Sequence, residues 1–393
     1  MRKSAWLLSM LVAVLLSVSM LAATPVSVNA IGEVTPTPAL EDTEDNNEEE
    51  QEEVDVEELI NEALEQLNDG EFRGAVATMD VAIDADPTNV FAYTIRGVAN
   101  AQLGQFDDSI ADFTTAIELE PWQFDLYLFR GDAYVADGSL TDALLDYDQA
   151  IYISPLSAEP YGRRSSLYYD LDDETAGDVD DLLARGISAL NFGDADQAIG
   201  FFEEAADAAD DLPVAGQAYY LIGITNQING DTDEAFDAYA EALDIDDQIH
   251  NAYLGRGILY REEGDIEAAG EDFFNRIQVH GIETVEEEME IGDTIEVEMA
   301  YRRIVEITFE GEAGQEITIS AQDTDSDSVD PLIALLDPDG NPIAGDDDFG
   351  GQLNSQIDDF ELPEDGTYTL LVSHAEGGYA VGFNGFIEVE IDD

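Results

Sequence analysis

Two consecutive stretches with the same pattern decide the fold: residues 90–121 (VFAYTIRGVANAQLGQFDDSIADFTTAIELEP) and residues 124–155 (FDLYLFRGDAYVADGSLTDALLDYDQAIYISP). They superpose at a shift of 34 residues, so that Gly97 matches Gly131. A fixed period of this length is typical of a pair of helices repeated along the chain. Because one helix pair cannot cover its own apolar residues, neighbouring repeats must stack to bury them.

The same five positions recur six times along the chain. A small residue stands at position 8, glycine at 15, a small residue at 20, an aromatic residue or methionine at 24, and alanine at 27, where the sixth repeat has Arg276. A glycine at position 15 ends the first helix because it adopts the left-handed conformation readily. The pattern resembles the tetratricopeptide repeat family. That resemblance implies an α-helical solenoid that binds a protein or peptide on its concave face.

The array is interrupted after its third repeat, where successive position-15 glycines, Gly138 and Gly193, are 55 residues apart. Residues 158–171 match a first helix, but the acidic sequence DDETAGDVD that follows lacks the apolar period of a second one. We therefore predict three repeats and an orphan capping helix over residues 55–171, then three further repeats over residues 178–281. Two sub-arrays and one superhelix with a longer loop both remain open.

From about Glu283 an alternating apolar pattern replaces the helical one, in TIEVEM, RRIVEITFE, QEITISAQ, PLIALLD, QIDDFEL, GTYTLLVS and GFIEVEI. Turn sequences separate these segments, which predicts an antiparallel β-sandwich over residues 285–393. The stretches EGEAGQEITIS, VDPLIALLDPDGNPIAGDDDFGGQLNSQI and ELPEDGTYTLLVS resemble the bacterial pre-peptidase C-terminal domain. The resemblance implies a jelly-roll-like, non-catalytic module of the kind appended to secreted enzymes, with some related domains binding calcium or matrix polymers. The whole chain is thus predicted to be multidomain α plus β, a helical solenoid followed by a sandwich.

Two segments precede the repeats. A basic start, an apolar run and the small residues at 28–30 predict a signal peptide over residues 1–30. The apolar run is also nearly long enough for an uncleaved anchor, so this alternative stays open. Residues 31–54 contain TPTP and EDTEDNNEEEQEE, which predict an acidic disordered linker. We therefore expect a secreted or extracytoplasmic protein in the periplasm, at the cell surface or outside the cell.

The composition restricts the classes of function. With 91 acidic against 13 basic residues, the formal net charge is −78, which repels nucleic acid and anionic lipid. Such a surface favours either solubility in high salt or the accumulation of cations. The absence of cysteine excludes disulfides and thiolate chemistry. His250, His280 and His374 occur in no catalytic spacing, and no nucleophile motif is present, so we predict that the protein is not an enzyme.

Five arginines share position 7 of their repeats: Arg96, Arg130, Arg164, Arg185 and Arg256. They form either a ladder for an acidic ligand or internal ion pairs. We favour ion pairs, because position 23 of the matching second helices is Asp112, Asp146 or Asp272. Arg185 instead has Phe201 at that position.

The resemblance places the partner-binding residues at positions 2, 5, 9, 12 and 13 of each first helix. They include Phe91, Thr94, Val98, Leu128, Asp132, Val135, Tyr169, Leu183, Ile187, Tyr220, Ile224, Leu254 and Ile258. Family members that capture chaperone carboxylates use lysines at positions 5 and 13, which this chain lacks. An apolar floor with an acidic rim suits a peptide with basic flanks. The alternative is that some of these side chains pack between repeats.

The carboxylates Asp346, Asp347 and Asp348 form the candidate metal site. Three adjacent carboxylates between strands suit calcium, and the alternative is a solvated turn. No other cofactor is expected. The predicted function is a scaffold whose repeats bind a protein or peptide while the sandwich attaches it outside the cell. In the alternative, the sandwich recognises a polymer or cell surface and the repeats serve as a spacer.

Overall fold

The computed structural model describes residues 54–209, 213–300, 302–324, 329–347, 354–374 and 385–392. Within these residues the chain forms thirteen helices followed by nine strands. It divides into two compact units, residues 1–146 and residues 147–393, and each is described by itself.

The first unit contains stacked helices that follow the repeat pattern: α1 (Val56–Asn68), α2 (Phe72–Ala85), α3 (Val90–Leu103), α4 (Phe106–Leu119), α5 (Phe124–Asp137) and the start of α6 (Leu140–Ile153). The Asn89 side chain begins α3 by accepting the Ala92 N–H, and Gly104 ends it in the left-handed conformation. A Cβ on Gly97 would lie 2.9 Å from the Phe113 ring, so position 8 must be small for the two helices to pack.

The second unit continues with seven more described helices: α7 (Ala158–Asp170), α8 (Glu174–Asn191), α9 (Ala195–Ala209), α10 (Pro213–Asn229), α11 (Thr232–Ile245), α12 (His250–Glu263) and α13 (Ile266–His280). Small and aromatic residues, including Ala198, Phe202 and Tyr239, fill the core between them. No helix in the described ranges is long and apolar enough to cross a bilayer.

The structure corrects the prediction of an orphan helix. α8 begins at Glu174, inside the segment for which the sequence predicts a loop, and Asp173 caps it. Asp180 in the first half of α8 pairs with Arg164 of α7, as position 23 does in other repeats. Gly186 in its second half lies against Phe202 of α9, as position 8 does. The prediction is wrong because one 18-residue helix belongs to two helix pairs, and its acidic start caps a helix.

Nine strands form a sandwich of two sheets: β1 (Glu283–Glu288), β2 (Thr294–Met299), β3 (Arg303–Gly311), β4 (Glu316–Asp323), β5 (Pro331–Leu336), β6 (Pro342–Asp346), β7 (Asn354–Glu361), β8 (Gly366–His374) and β9 (Gly385–Asp392). The five-stranded sheet has the order β1-β3-β8-β5-β6, and the four-stranded sheet has the order β2-β9-β4-β7. The predicted sandwich is thus present. It is mixed where the sequence predicts an antiparallel one, because β1 pairs parallel to β3.

Strand β5 of the five-stranded sheet is buried on both faces, whereas the edge strand β1 is largely exposed. Ile333 and Leu335 of β5 pack into the sandwich core, whereas Leu332 and Ala334 join a second cluster with α13. Alternate residues of a strand point to opposite faces, so both faces of β5 are covered by apolar groups. The sheet therefore packs between the other sheet and the last helix of the repeats.

The interface between α13 and this sheet is close. Phe273 and Ile277 of α13 are buried there, and a Cβ on Gly270 would lie 2.6 Å from the Ala344 carbonyl carbon. Asp346 of β6 also forms an ion pair with Arg261 of α12. The sandwich thus covers the apolar end of the array, which a further repeat would otherwise cover.

Candidate partner-binding site

The position-7 arginines form internal ion pairs, which confirms the favoured interpretation. Arg96–Asp112, Arg130–Asp146 and Arg256–Asp272 each have an N–O distance of 2.7 Å. Arg164 makes the same contact with Asp180, also at 2.7 Å. The guanidinium of Arg185 lies 4.3 Å from the centre of the Phe201 ring.

Several of these arginines also reach back to the second helix of the preceding pair. Arg96 contacts Asp80 at 2.7 Å, and Arg164 contacts Asp148 at 2.6 Å. Each of these guanidinium groups therefore joins three helices of the stack. Burial raises the pKa of Asp180 despite the opposing effect of Arg164. These arginines stabilise the array and are already engaged by its own carboxylates.

The residues predicted on the concave face differ in exposure. Seven are buried: Thr94, Val98, Leu128 and Asp132 in the first unit, and Leu183, Ile187 and Tyr220 in the second. Five are partly exposed, Phe91, Val135, Ile224, Leu254 and Ile258, and Tyr169 is exposed. Leu254 and Ile258 pack against the cluster formed by α13 and the sheet. The concave-face site stays a prediction, and its exposed and partly exposed members are the ones that a partner can touch.

A pocket of about 390 Å³ opens in the second unit. The end of α6, α10, the connection from α11 to α12, the end of α13 and the residue before β3 surround it. The charged and aromatic residues of its lining are Asp148, Tyr152, Tyr220, Asp246, His250 and Arg302. Of these only Tyr220 belongs to the predicted concave-face set. The pocket therefore combines repeat residues with a residue contributed by the C-terminal domain.

A stack of rings forms one wall of this pocket. The Tyr152 ring lies 4.3 Å from His250, and His250 lies 5.0 Å from His280, measured between ring centroids. The Tyr152 hydroxyl is 2.8 Å from Nδ1 of His280, and the Arg302 guanidinium lies 5.3 Å from the Tyr152 ring centre. Sequence reasoning missed this cluster because its members are distant along the chain and occupy no repeated position. Two of the three histidines in the sequence, His250 and His280, belong to this cluster, and they were the one signal available.

Burial makes the histidines poor bases. It lowers the pKa of both His250 and His280, and the positive charge of Arg276 lowers them further. The pKa of His374, which lies near this cluster in β8, falls to about 4 for the same two reasons. The imidazoles are therefore neutral at neutral pH, and each offers one hydrogen-bond donor and one acceptor.

The aspartates predicted to bind calcium are partly accounted for by the fold. Asp346 pairs with Arg261 and accepts the Gln356 N–H at 2.7 Å. Asp347 is buried, and Asp348 lies outside the described residues. Among the residues that the structure describes, no group of three or more acidic or histidine side chains is placed to hold a metal ion. Calcium binding by Asp346–Asp348 stays a prediction.

Comparison with known families identifies both halves of the chain. The tetratricopeptide repeat family model matches residues 60–118, 96–158 and 183–250. The model of the bacterial pre-peptidase C-terminal domain matches residues 307–374. The chain therefore contains tetratricopeptide repeats followed by a bacterial pre-peptidase C-terminal domain. Such repeats indicate a protein-binding scaffold, a class that is typically non-enzymatic.

Solved structures with similar helices include the first TPR domain of the human RPAP3 protein, 24% identical, covering 30% of this chain and 94% of that domain with a TM-score of 0.29. The first TPR of Spaghetti (RPAP3) bound to an HSP90 peptide is 24% identical over 31% of this chain and 98% of that one, with a TM-score of 0.29. A tetratricopeptide repeat protein from Parabacteroides merdae is 19% identical over 57% and 93% respectively, with a TM-score of 0.30. No curated protein sequence matches the chain. The identification rests on the two family models.

Proposed function

We propose that this chain is a non-enzymatic scaffold that acts outside the cytoplasm and binds a protein or peptide partner through its helical repeats. The observation that carries the proposal is the pocket of about 390 Å³ between α6, α10 and α12. Concave sites of this kind are where proteins enclose a side chain or small ligand. The C-terminal sandwich caps the array and contributes Arg302 to the pocket.

The charge of the chain supports the choice of partner class. A formal charge of −78 disfavours nucleic acid and anionic lipid and favours a partner with basic groups. The rival function is recognition of a polymer or cell surface by the sandwich. One face of the sandwich is not accessible for such a target. The outer face of β5 and β8 is covered by α13, so a target would bind elsewhere on the sandwich.

Site-specific photo-crosslinking in the full chain discriminates the two functions. We would place benzoylphenylalanine at Gln248, an exposed residue of the pocket lining, or at Phe386, which is exposed on β9 of the four-stranded sheet. Each variant is irradiated in the native extracytoplasmic fraction. Protein adducts from position 248 are expected. Adducts from position 386 alone would overturn the proposal in favour of recognition by the sandwich.

The extracytoplasmic location is supported by the N-terminal sequence, with its apolar run and small residues before position 31. N-terminal sequencing of the protein recovered from the extracytoplasmic fraction tests it. A start near Ile31 is expected after cleavage, and a retained Met1 in the membrane fraction would identify an anchor instead. Recovery from the cytoplasm alone would contradict the proposed location.

A further inference from the structure

The pocket in the second unit presents several hydrogen-bond acceptors to a ligand. The side-chain amide of Gln217 donates to the Tyr161 hydroxyl at 3.1 Å, and that of Gln248 donates to Asp247 at 2.6 Å. Both glutamines therefore present their carbonyl oxygens to further partners. Each amide group keeps one further N–H, because an NH₂ group has two donors and one of them is engaged.

Two carboxylates add to these acceptors. Asp148 uses Oδ1 for Arg164, and Asp246 uses Oδ1 to accept the Gln248 N–H at 3.0 Å. Within the described residues, the second oxygen of each makes no hydrogen bond. The Asp148 side chain is about half exposed, so a ligand can reach it. Asp148 and Asp246 outnumber Arg302, the cationic residue of the lining.

His250 supplies a buried polar group that points to a ligand. It is 4% exposed and lines the pocket. In the described part of the chain its imidazole stacks on Tyr152 and His280 but forms no side-chain hydrogen bond. A buried polar side chain without a hydrogen bond is costly unless a ligand or water satisfies it. The neutral ring offers one acceptor nitrogen, which adds to the four oxygens.

We propose that this pocket binds the guanidinium group of an arginine in the partner peptide, a step that rests on the proposed function. An arginine presents five N–H donors in a planar fork, whereas a lysine presents three on a single ammonium. Carboxylate oxygens, amide carbonyls and a neutral imidazole distributed around one pocket match several donors pointing in different directions. A carboxylate ligand would meet the charges of Asp148 and Asp246, and like charges repel. Among the lining residues the one cation it would meet is Arg302, whose Nε–H is already used.

The repeats themselves cannot provide this site. The position-7 arginines and their aspartates are satisfied by one another, as in the pair of Arg164 with Asp180. Asp148 occupies the same repeat position as Asp80, whereas Arg302 comes from the C-terminal domain. Arg302 lies over Tyr152 and donates its Nε–H to the His280 carbonyl, so it holds the ring wall in place. The pocket is therefore complete only in the full chain.

Isothermal titration calorimetry on the full chain tests the proposal with four blocked pentapeptides, Ac-Gly-Gly-X-Gly-Gly-NH₂. X is arginine, its neutral isostere citrulline, lysine or glutamate. We expect the arginine peptide to bind at least about tenfold more tightly than the other three, since only it combines charge with a planar fork. Equal affinities for arginine and citrulline, or no measurable binding of the arginine peptide, would overturn the proposal.

Matched variants separate the pocket from the general negative charge. Asp246→Asn removes a lining carboxylate just after α11, and Asp244→Asn removes one near the end of α11 that is exposed and does not line the pocket. Asp246→Asn is expected to lower the affinity for the arginine peptide about tenfold, and Asp244→Asn less than twofold. Gln248→Met, at an exposed lining position, is expected to lower this affinity about threefold. Equal weakening by Asp244→Asn and Asp246→Asn would show non-specific attraction and would exclude the site.

A further arm distinguishes a peptide from a free small molecule. Agmatine carries the same guanidinium without a peptide backbone, and it is expected to bind at least about tenfold more weakly than the arginine peptide. Equal affinity would reject the peptide as the source of the group. The crosslinking experiment keeps the two proposals apart. Adducts at position 248 without an arginine preference would leave the scaffold function standing and overturn only the arginine site.

Discussion

Phe202 in the interior of the array and Phe273 at its end occupy the same repeat position but have different neighbours. Each packs against a glycine of its own first helix, Gly186 or Gly257, whose Cβ would collide with the ring. Beyond Phe202 the stack continues with another repeat. A Cβ on Gly345 of β6, by contrast, would lie 2.9 Å from the Phe273 ring. The comparison shows that a β-sheet takes the place of a further helix pair at the end of this array.

The interior of the array and its end also differ in polarity at a second repeat position, position 27. Position 27 is Ala205 and Ala242 in the two preceding repeats and Arg276 in the last one. All three residues are 0% exposed. His280 and His374 are buried near Arg276. At this position the interior of the array is therefore apolar, whereas the helix–sheet interface contains ionisable groups. Mutations and acid should affect these two regions differently.

Replacing the two phenylalanines is expected to have the largest effect. Phe273→Ala and Phe202→Ala should each lower the free energy of unfolding by about 3–5 kcal/mol, because a fully buried ring is lost. Amide hydrogen exchange should accelerate in β5 and β6 for Phe273→Ala only. Unchanged exchange in those strands for Phe273→Ala would mean that the sheet does not depend on the array.

The ion pairs of the array give the next comparison. Arg164→Met leaves Asp180, which is 1% exposed, without its partner and should cost about 3 kcal/mol in urea unfolding. Arg185→Met, whose side chain is 53% exposed, should cost less than about 1 kcal/mol. Asp180→Asn combined with Arg164→Met should recover part of the loss, because the buried charge is then absent. Equal costs for the two single arginine variants would contradict the structural role of the buried pairs.

Acid should act on the helix–sheet interface. The pKa of His374 is lowered to about 4 in the folded protein, so the unfolded chain binds the proton more readily. This group therefore stabilises the fold above pH 6.5, and that stability is lost as the pH falls toward 4. The loss between pH 7 and pH 5 should be about 2 kcal/mol.

The matched control is His374→Gln, which removes this titration while the buried aspartates keep theirs. The raised pKa values of Asp180 and Asp272 work in the opposite direction, since the folded state then binds protons more readily as the pH falls. The difference between the two proteins isolates the histidine. Parallel stability curves from pH 7 to pH 5 would show that His374 does not titrate differently on folding.

Calcium removal should have the smallest effect. Asp346 already pairs with Arg261, so an ion would have to compete with that contact. Addition of EGTA is expected to shift the Tm of the full chain by less than about 2 °C in differential scanning calorimetry. A larger fall, reversed by calcium and absent in Asp348→Asn, would establish the calcium site predicted from the sequence.

One feature of the helix–sheet interface could be predicted from the sequence, because β5 departs from the alternating apolar pattern of the other strands. β5, with the sequence PLIALL, is buried at every residue. A strand covered on one face alternates apolar and polar residues, whereas a continuous apolar run is typical of a strand covered on both. That run indicates a covering layer outside the sandwich. It does not indicate that the layer is α13.

The sequence by itself determined the repeats, the sandwich and the arginine pairs. These depend on local periodicity and on contacts such as Arg256 with Asp272, which are 16 residues apart in one helical hairpin. The tertiary structure alone decided the pocket, the dual role of α8 and the placement of the sheet on α13. Tyr152 and His280 are 128 residues apart, and their contact depends on how the intervening helices stack. No local pattern encodes such a contact, because it results from small rotations accumulated over many repeats.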